Sequence, residues 1–252
     1  MKLVIAGATG TVGHHVREAA LSRGHGVVAL SRSSGQDVVT GAGIADAIVG
    51  ADAVIDVTSN MVLNARKARA FFTAATRNLL AAEEKTGVTH HIALSIVGID
   101  DIDASYYAGK LAQEREVTSG PVPWSLLRAA QFHEFAEQIL RTTAMGPLVA
   151  APKTLMRPVA AREVGEHLVD LAEAGPSGRV QDLVGPQDEQ LADLIRRMLA
   201  FDGINRRVVE LSLPGSYWRG LASGALRGST TAARGRTTFD EWLRSPDHTP
   251  SR

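Results

Sequence analysis

Short apolar runs alternate with longer segments of helical periodicity over the first two thirds of the chain. This alternation predicts βαβ units and a parallel sheet. We predict strands over residues 2–6, 26–31, 37–40, 53–58, 90–95 and 123–128. We predict helices over residues 12–23, 64–85 and 106–119, the second of which carries apolar residues at helical spacing. The predicted fold class is α/β, a doubly wound parallel sheet of Rossmann type.

The pattern becomes less regular after about residue 130. It predicts helices over 132–144, 161–174 and 188–201, and strands near 154–159, 179–184 and 206–211. Residues 214–236 are rich in glycine and small polar side chains, which predicts a mobile segment or lid. A last short helix around Phe239, Trp242 and Leu243 precedes a polar tail that is predicted to be disordered. We therefore predict a Rossmann domain over residues 1–150 and a small C-terminal lobe over residues 151–252, which packs on it and does not fold independently.

The composition of the chain argues against several kinds of binding partner and of chemistry. The 252 residues include 27 basic and 27 acidic side chains and no cysteine. A balanced charge gives no strong attraction to nucleic acid or to anionic membranes, and the lack of cysteine excludes disulfides and thiolate chemistry. The apolar run before Gly7 is shorter than the roughly 7–15 residues of an export signal, and no later run approaches the roughly 20 residues of a membrane span. We expect a cytoplasmic protein with no nucleic-acid or membrane partner, either a monomer or a homodimer.

Three glycines, Gly7, Gly10 and Gly13, lie between the first predicted strand and the first predicted helix. A helix N-terminus presents free N–H groups and a partial positive charge, and glycines let the backbone approach a pyrophosphate closely. The order of strand, glycine loop and helix predicts a dinucleotide site, although a tight structural turn would use the same residues. The residues predicted to contact the dinucleotide in this loop are Gly7, Thr9, Gly10, Thr11, Val12 and Gly13.

The residues at the end of the second predicted strand indicate whether the site prefers NAD or NADP. NAD sites place a carboxylate there for the ribose 2′-hydroxyl, whereas NADP sites place an arginine against the 2′-phosphate. This chain has Ser31, Arg32 and Ser33, with no acidic residue before Asp37. The pattern favours NADP(H) over NAD(H), with a solvated surface arginine as the alternative.

Tyr106 and Lys110 are four residues apart and therefore share one face of the predicted helix. A phenol titrates near pH 10, and a nearby ammonium group lowers its pKa. Ser95 ends the fifth predicted strand, where sheets of this kind bind ligands, and its hydroxyl is suited to hydrogen-bond a substrate carbonyl. The alternatives are that Tyr106 packs on the sheet while Lys110 is solvated, and that Tyr107 takes the role of Tyr106.

These segments together resemble the short-chain dehydrogenase/reductase superfamily, in its atypical or extended branch with NmrA-like NAD(P)H-binding members. The resemblance rests on residues 7–13, the run SIVG at 95–98, Tyr106-x-x-x-Lys110 and the run PVPWSLLRAAQFHEF at 121–135. It implies Tyr106 as general acid/base, Lys110 as its partner and cofactor holder, and Ser95 as the group that orients the carbonyl.

The same resemblance implies that the loop after the fourth predicted strand borders the cofactor. Its residues Val57, Thr58 and Ser59 are assigned to the cofactor and Asn60 to the substrate. The run Gly41-Ala42-Gly43 replaces the Gly-Asp pair that is usual in the family, so the adenine contact is not assigned.

Phe132 and His133 follow the sixth predicted strand, where the substrate pocket is expected to open. We predict that both contact the substrate, with a packed or exposed helix residue as the alternative for His133. No histidine has partners at metal-ligand spacing, so no metal is predicted.

The predicted function is NADPH-dependent reduction of a small carbonyl or quinone-like substrate, or the reverse oxidation. In this reaction hydride passes from the nicotinamide while Tyr106 donates the proton. A second hypothesis is an NmrA-like redox sensor that binds NADP(H) with little or no catalysis. A nucleotide-sugar epimerase is a third, although it usually needs a larger substrate lobe than residues 151–252 provide.

Overall fold

The computed structural model describes residues 1–250. The helices are α1 (Gly13–Ser22), α2 (Ile44–Ile48), α3 (Ala65–Thr86), α4 (Ser105–Ser119), α5 (Phe135–Thr143), α6 (Ala161–Ala174), α7 (Leu191–Phe201), α8 (Ser216–Ala222) and α9 (Phe239–Leu243). The strands are β1 (Lys2–Ala6), β2 (Gly26–Leu30), β3 (Ala53–Asp56), β4 (His91–Ile96), β5 (Trp124–Ala129), β6 (Ala144–Met145), β7 (Leu148–Pro152), β8 (Leu155–Met156), β9 (Gly178–Arg179), β10 (Leu183–Val184), β11 (Glu189–Gln190), β12 (Arg207–Leu211) and β13 (Ala233–Arg234).

These elements form two compact units that are discontinuous along the chain. The first unit contains residues 1–95, 103–128 and 162–181, and the second contains residues 96–102, 129–161 and the chain from residue 182 onward. The sequence predicted a continuous division at residue 150 instead. The assignment of residues 1–150 to the cofactor and of residues 151–252 to the substrate stays a prediction.

A sheet in the order β5-β4-β3-β1-β2 forms the centre of the first unit, with β9 beside β5. The pairs β1–β2, β1–β3 and β3–β4 are parallel, and Val4 of β1 lies between Val28 and Val54. Residues 3–6 and 53–56 are buried, as expected for strands covered on both faces. Because the strand order reverses between β1 and β3, the ligand crevice is expected at the carboxyl ends of these two strands. The predicted fold class is confirmed.

The third predicted strand, at residues 37–40, is wrong. Asp37 Oδ1 accepts hydrogen bonds from the backbone N–H of Val39 (2.7 Å) and of Thr40 (3.3 Å), which closes a turn. Asn78 of α3 donates to the Val38 and Val39 carbonyls, at 3.0 and 2.8 Å. These side chains take backbone groups that a sheet neighbour would otherwise pair.

The helix α6 packs on α1 within the first unit. Arg162 Nη1 donates to Glu18 Oε2 (2.8 Å), and Arg23 Nη1 donates to Asp170 Oδ1 (2.6 Å). A Cβ built on Gly165 would lie 2.8 Å from the backbone nitrogen of Val16, so the two helices approach at backbone distance. A segment predicted for the C-terminal lobe is therefore part of the first unit.

Within residues 1–250, the second unit contains the α-helices α5, α7, α8 and α9 together with short strands. β7 pairs in parallel with β12 and antiparallel with β6, while β8 pairs antiparallel with β11. β10 pairs in parallel with β13, and Leu183 lies opposite Ala129. The strand predicted near 154–159 is shorter, since only Leu155–Met156 forms, and the strand predicted near 179–184 is divided between β9 and β10.

Residues 214–236, predicted as a mobile segment or lid, contain α8 and β13, and their mobility stays a prediction. The prediction of a disordered polar tail is wrong as far as His248, whose buried ring lies 2.8 Å from Asp202 Oδ1. The last two residues of the tail, 251 and 252, lie outside the described residues. No helix within residues 1–250 combines the length and the apolarity that crossing a membrane requires.

Candidate active site

The glycine loop is folded so tightly that two of its positions accept only glycine. Gly7 has a φ of +88°, and a Cβ there would lie 2.7 Å from the Val57 carbonyl oxygen. A Cβ on Gly13 would lie 2.1 Å from the Gly7 carbonyl oxygen. Gly10 closes the turn by donating its N–H to the Gly7 carbonyl (3.0 Å). The loop therefore lies against the segment after β3, at the switch point of the sheet.

The outer part of this loop offers backbone groups to a ligand. Thr9, Gly10 and Thr11 are exposed, whereas Val12 is buried and leads into α1. The first turn of α1 has no acidic side chain, and no side chain caps it. Its partial positive charge is thus not neutralised locally, and the small loop admits an anion close to the backbone. These residues fit a dinucleotide pyrophosphate.

Serine residues flank Arg32 in the chain after β2. Ser31 Oγ lies 2.9 Å from Ser33 Oγ and 2.6 Å from Ser34 Oγ. Arg32 is exposed, and its guanidinium has no hydrogen-bond or ion-pair partner within residues 1–250. The first carboxylate after this point, that of Asp37, is used in the turn described above. A cation with neighbouring hydroxyls is thus present where a ribose phosphate would be recognised.

The loop after β3 joins the glycine loop to Tyr106. Its first residue, Val57, contacts Gly7, and Thr58 donates its N–H and its hydroxyl to Asp56 Oδ1, at 2.9 and 2.6 Å. Ser59 Oγ lies 2.9 Å from Tyr106 Oη. The structure therefore brings together two of the predicted site residues, Ser59 and Tyr106. Asn60 follows on the exposed part of the loop.

Ser95 lies near the carboxyl end of β4, two residues beyond Ala93, which pairs with Asp56 of β3. The side chain is buried, and its Oγ has no hydrogen-bond partner in the part of the chain that the structure describes. An unpaired buried polar group costs about 1–3 kcal/mol. Such a hydroxyl at the ligand-binding end of a sheet is a candidate for pairing with a bound molecule.

Lys110 is buried, contrary to the alternative of a solvated side chain. Its Nζ donates to the Leu94 carbonyl oxygen (2.6 Å) and to Oε1 of Gln113, and it lies 4.8 Å from the centre of the Phe72 ring. Neither acceptor is the phenol of Tyr106. Burial lowers the pKa of Lys110 to about 8, although the negative charges of Asp56 and Glu114 oppose this shift. The group is thus an ammonium held in place at neutral pH.

Close packing of α3 and α4 positions two of the predicted catalytic side chains, Tyr106 and Lys110. The rings of Phe72 and Tyr106 meet edge to face at 5.6 Å. A Cβ on Gly109 would lie 2.5 Å from Phe72 Cδ2, so glycine makes room for this ring. The contacts of Phe72 with both Tyr106 and Lys110 were not predicted, because the sequence does not show how α3 and α4 meet.

Phe132 and His133 belong to the second unit. His133 is buried, with Nε2 at 3.0 Å from the Thr237 carbonyl oxygen and its ring against those of Phe239 and Trp242. Burial lowers its pKa to about 4. This packing matches the alternative named for His133, and the substrate contacts of both residues stay predictions. Within residues 1–250, no three histidine or carboxylate side chains come close enough to hold a metal ion.

The parallel sheet and the glycine loop at its switch point define a dinucleotide-binding protein of Rossmann type. A family model described as NAD(P)H-binding matches residues 7–174. This match spans more than half of the chain, and the chain belongs to that family. The predicted resemblance to NAD(P)H-binding proteins is confirmed by this match. Comparison with curated protein sequences gives no significant match.

Solved structures share the fold at low sequence identity. The NADPH-dependent quinone oxidoreductase QOR2 of Escherichia coli, in complex with NADPH, aligns with a TM-score of 0.76 and 16% identity over 96% of this chain and 98% of its own. The dTDP-4-dehydrorhamnose reductase of Bacillus anthracis, in complex with NADP, aligns with a TM-score of 0.70 and 13% identity over 83% of each chain. The enzyme WbmH of Bordetella bronchiseptica, in complex with NAD⁺, gives 0.67 and 16% over 83% of this chain and 85% of its own. The chain thus shares the Rossmann-type fold of these nucleotide-binding proteins.

Proposed function

We propose that the chain is an NADPH-dependent oxidoreductase that reduces a small carbonyl or quinone-like substrate, or catalyses the reverse oxidation. The observation that carries the proposal is the hydrogen bond between Tyr106 Oη and Ser59 Oγ. It holds a phenol on the loop after β3, and the same loop contacts the glycine loop at Gly7. A phenol is thus hydrogen-bonded to a loop that also contacts the proposed dinucleotide cradle. The similar fold of an NADPH-dependent quinone oxidoreductase supports the substrate class.

The residues around the glycine loop would hold the cofactor. Backbone groups of residues 7–13 would bind the pyrophosphate, Arg32 with Ser31 and Ser33 the 2′-phosphate, and Lys110 the nicotinamide ribose hydroxyls. Val57, Thr58 and Ser59 would border the dinucleotide. When bound, it supplies the hydride.

The chain's own side chains then position and protonate the substrate. Ser95 Oγ donates a hydrogen bond to the substrate carbonyl oxygen, which uses its unpaired hydroxyl. Tyr106 Oη delivers a proton to the same oxygen, and Ser59 keeps the phenol in place. The positive charge of Lys110, one helical turn away, favours the phenolate left behind. Asn60 lies on the exposed side, where it would meet the substrate.

The test of catalysis is NADPH oxidation with a panel of quinones, aldehydes and ketones. Tyr106→Phe is expected to lower the rate by about 10²- to 10⁴-fold, the range for loss of a general acid. Tyr107→Phe is the matched control, since it removes the neighbouring phenol, and it is expected to keep the activity. Full activity of Tyr106→Phe would refute the mechanism. Tight NADPH binding without turnover of any substrate would favour the redox sensor.

The preference for NADPH has its own test. Arg32→Ala is expected to weaken NADPH binding by about tenfold or more, because a charge-assisted hydrogen bond is lost, and to leave NADH binding nearly unchanged. Arg115→Ala, which also removes an exposed arginine, is the control. Isothermal titration with both nucleotides measures the affinities. Equal losses for NADPH and NADH would contradict the assignment of Arg32 to the 2′-phosphate.

A further inference from the structure

A single buried carboxylate, Asp56, connects to two of the predicted catalytic residues, Tyr106 and Lys110. Its Oδ1 accepts two hydrogen bonds from Thr58, whose neighbour Ser59 holds Tyr106. Its Oδ2 accepts a hydrogen bond from Gln113 Nε2 (2.7 Å). One oxygen thus fixes the loop that carries the phenol contact, and the other fixes the amide of Gln113.

Gln113 passes this connection on to Lys110. The amide can act as donor at one end and acceptor at the other, and both ends are used here. Nε2 donates to Asp56, which leaves Oε1 as the acceptor for Lys110 Nζ. Because Asp56 accepts only, the amide cannot turn around without losing both hydrogen bonds. The orientation of Gln113 therefore determines where the ammonium of Lys110 lies.

Burial makes the position of this charge depend on its hydrogen bonds. Asp56, Lys110 and Gln113 are all buried, and removing one partner of a buried charged pair leaves the other charge uncompensated. The two acceptors of Lys110 Nζ, the Leu94 carbonyl oxygen and Gln113 Oε1, therefore hold the ammonium at one position. The position lies one helical turn after Tyr106.

We infer that Gln113 is a positioning residue: its amide is fixed by Asp56 and in turn holds the ammonium of Lys110 in place. This inference rests on the proposed function, because Lys110 is given its role there. The motif Lys-x-x-Gln places residues 110 and 113 on one helix face, yet the sequence does not show that Asp56, far away along the chain, meets the amide.

Other charged groups also influence the pKa of Lys110. Asp56 faces it from β3 and Glu114 from its own helix. Glu114 is held by Arg128 of β5, with Arg128 Nη2 at 2.7 Å from Glu114 Oε2. Asp56 also acts on the buried His91 at the start of β4. None of these side chains is substituted in the variants below, although Gln113→Met also removes the hydrogen bond to Asp56 Oδ2.

Two substitutions test the inference in opposite directions. Gln113→Met keeps the length of the side chain but removes the acceptor, and it is expected to lower the pKa of Lys110 by about one unit. Gln113→Glu keeps an acceptor beside the ammonium and sets a second carboxylate oxygen against Asp56 Oδ2, and the added negative charge of the two carboxyl groups is expected to raise that pKa. NMR titration of labelled lysine side chains in the full chain measures both values, with Lys110→Met to assign the signal and Arg115→Ala as the control on the same helix.

The pH profile of kcat/KM is expected to shift in the same direction as the pKa of Lys110. For Gln113→Met we expect kcat/KM to fall about tenfold, with the alkaline limb of its pH profile at lower pH, while Gln113→Glu moves that limb to higher pH. A merely structural role would lower stability without moving the limb in opposite directions. A Lys110 pKa equal to that of the parent in Gln113→Glu, or shifted the same way in both variants, overturns the inference. If Gln113→Met does not fold, Gln113→Glu alone decides.

The NMR titration measures the pKa of Lys110 whether or not the chain reduces a substrate. A chain that reduces no substrate but shows the opposite pKa shifts refutes the reductase and retains the positioning role. A chain that reduces substrate with unshifted Lys110 pKa values retains the reductase and overturns the positioning role.

Discussion

Gly109 lies where two opposing effects act on the same substitution. Gly109→Ala would ordinarily stabilise a helix by about 1 kcal/mol, because alanine loses less backbone freedom on folding. Here the new methyl group would lie 2.5 Å from Phe72 Cδ2 and 3.0 Å from the Ala68 Cβ. Distances this short require the ring or the helix to move.

The size of the net effect follows from these two contributions. Inserting a methyl group into a well-packed core costs about 1–3 kcal/mol. Subtracting the gain in helix propensity leaves a loss of up to about 2 kcal/mol, so we expect the free energy of unfolding to fall by about 1 kcal/mol. Because Phe72 contacts Tyr106 and lies under Lys110, reductase activity should fall as well.

A double-mutant cycle in urea separates the contributions. In a Phe72→Ala background the ring is gone but the 3.0 Å approach to Ala68 remains, so Gly109→Ala is expected to cost less than in the parent chain. Ala81→Gly, at an exposed position of α3, calibrates the propensity in this protein and should cost about 1 kcal/mol. Stabilisation by Gly109→Ala in the parent chain would refute the steric reasoning.

Three further predictions concern other parts of the molecule. Gly13→Ala, whose methyl would lie 2.1 Å from the Gly7 carbonyl oxygen, should abolish NADPH binding in a fluorescence titration, and retained affinity would contradict the cradle. The pKa of the buried His91 is raised, since the carboxylate of Glu83 outweighs the effect of burial; its stabilisation is therefore complete below about pH 6.5 and is lost as the pH rises through the raised value. Glu83→Gln should flatten that decline in urea unfolding measured from pH 6 to 9, and an unchanged slope would contradict it. Ser95→Ala should leave stability equal or higher, because an unpaired hydroxyl is removed, while kcat/KM falls about tenfold; a stability loss would mean that the hydroxyl is paired within the protein.

The first unit could be predicted well because its sequence carries strong periodic signals. The predicted helix over residues 161–174 has the observed bounds of α6, and α3 differs from its prediction by one residue at each end. The strand at 37–40 was mispredicted since side chains of Asp37 and Asn78 take its backbone groups. β7 was missed because LVAAP has little β-branched character and its partner β12 lies far along the chain.

The residues of the candidate site also fall into two groups: some follow from a local sequence pattern, and others depend on contacts between residues distant along the chain. Gly7, Gly13 and Arg32 follow from local patterns, since each lies at a fixed distance from a strand end. Asp56 and Gln113 act through a hydrogen bond between positions 57 residues apart, which no local pattern reveals. The burial of His133 likewise depends on Phe239 and Trp242, which come from the end of the chain.

The discontinuous course of the first unit has a consequence for synthesis on the ribosome. Its residues up to 128 are made first, but α6 and β9, which pack on α1 and pair with β5, end only near residue 181. At about 5–20 residues per second, the nascent sheet waits about 3–10 s for its last elements. During this interval the flank of β5 that receives β9, and the face of α1 that receives α6, stay open. We expect a chain truncated after residue 160 to bind chaperones or aggregate, whereas one extended past residue 181 closes that flank.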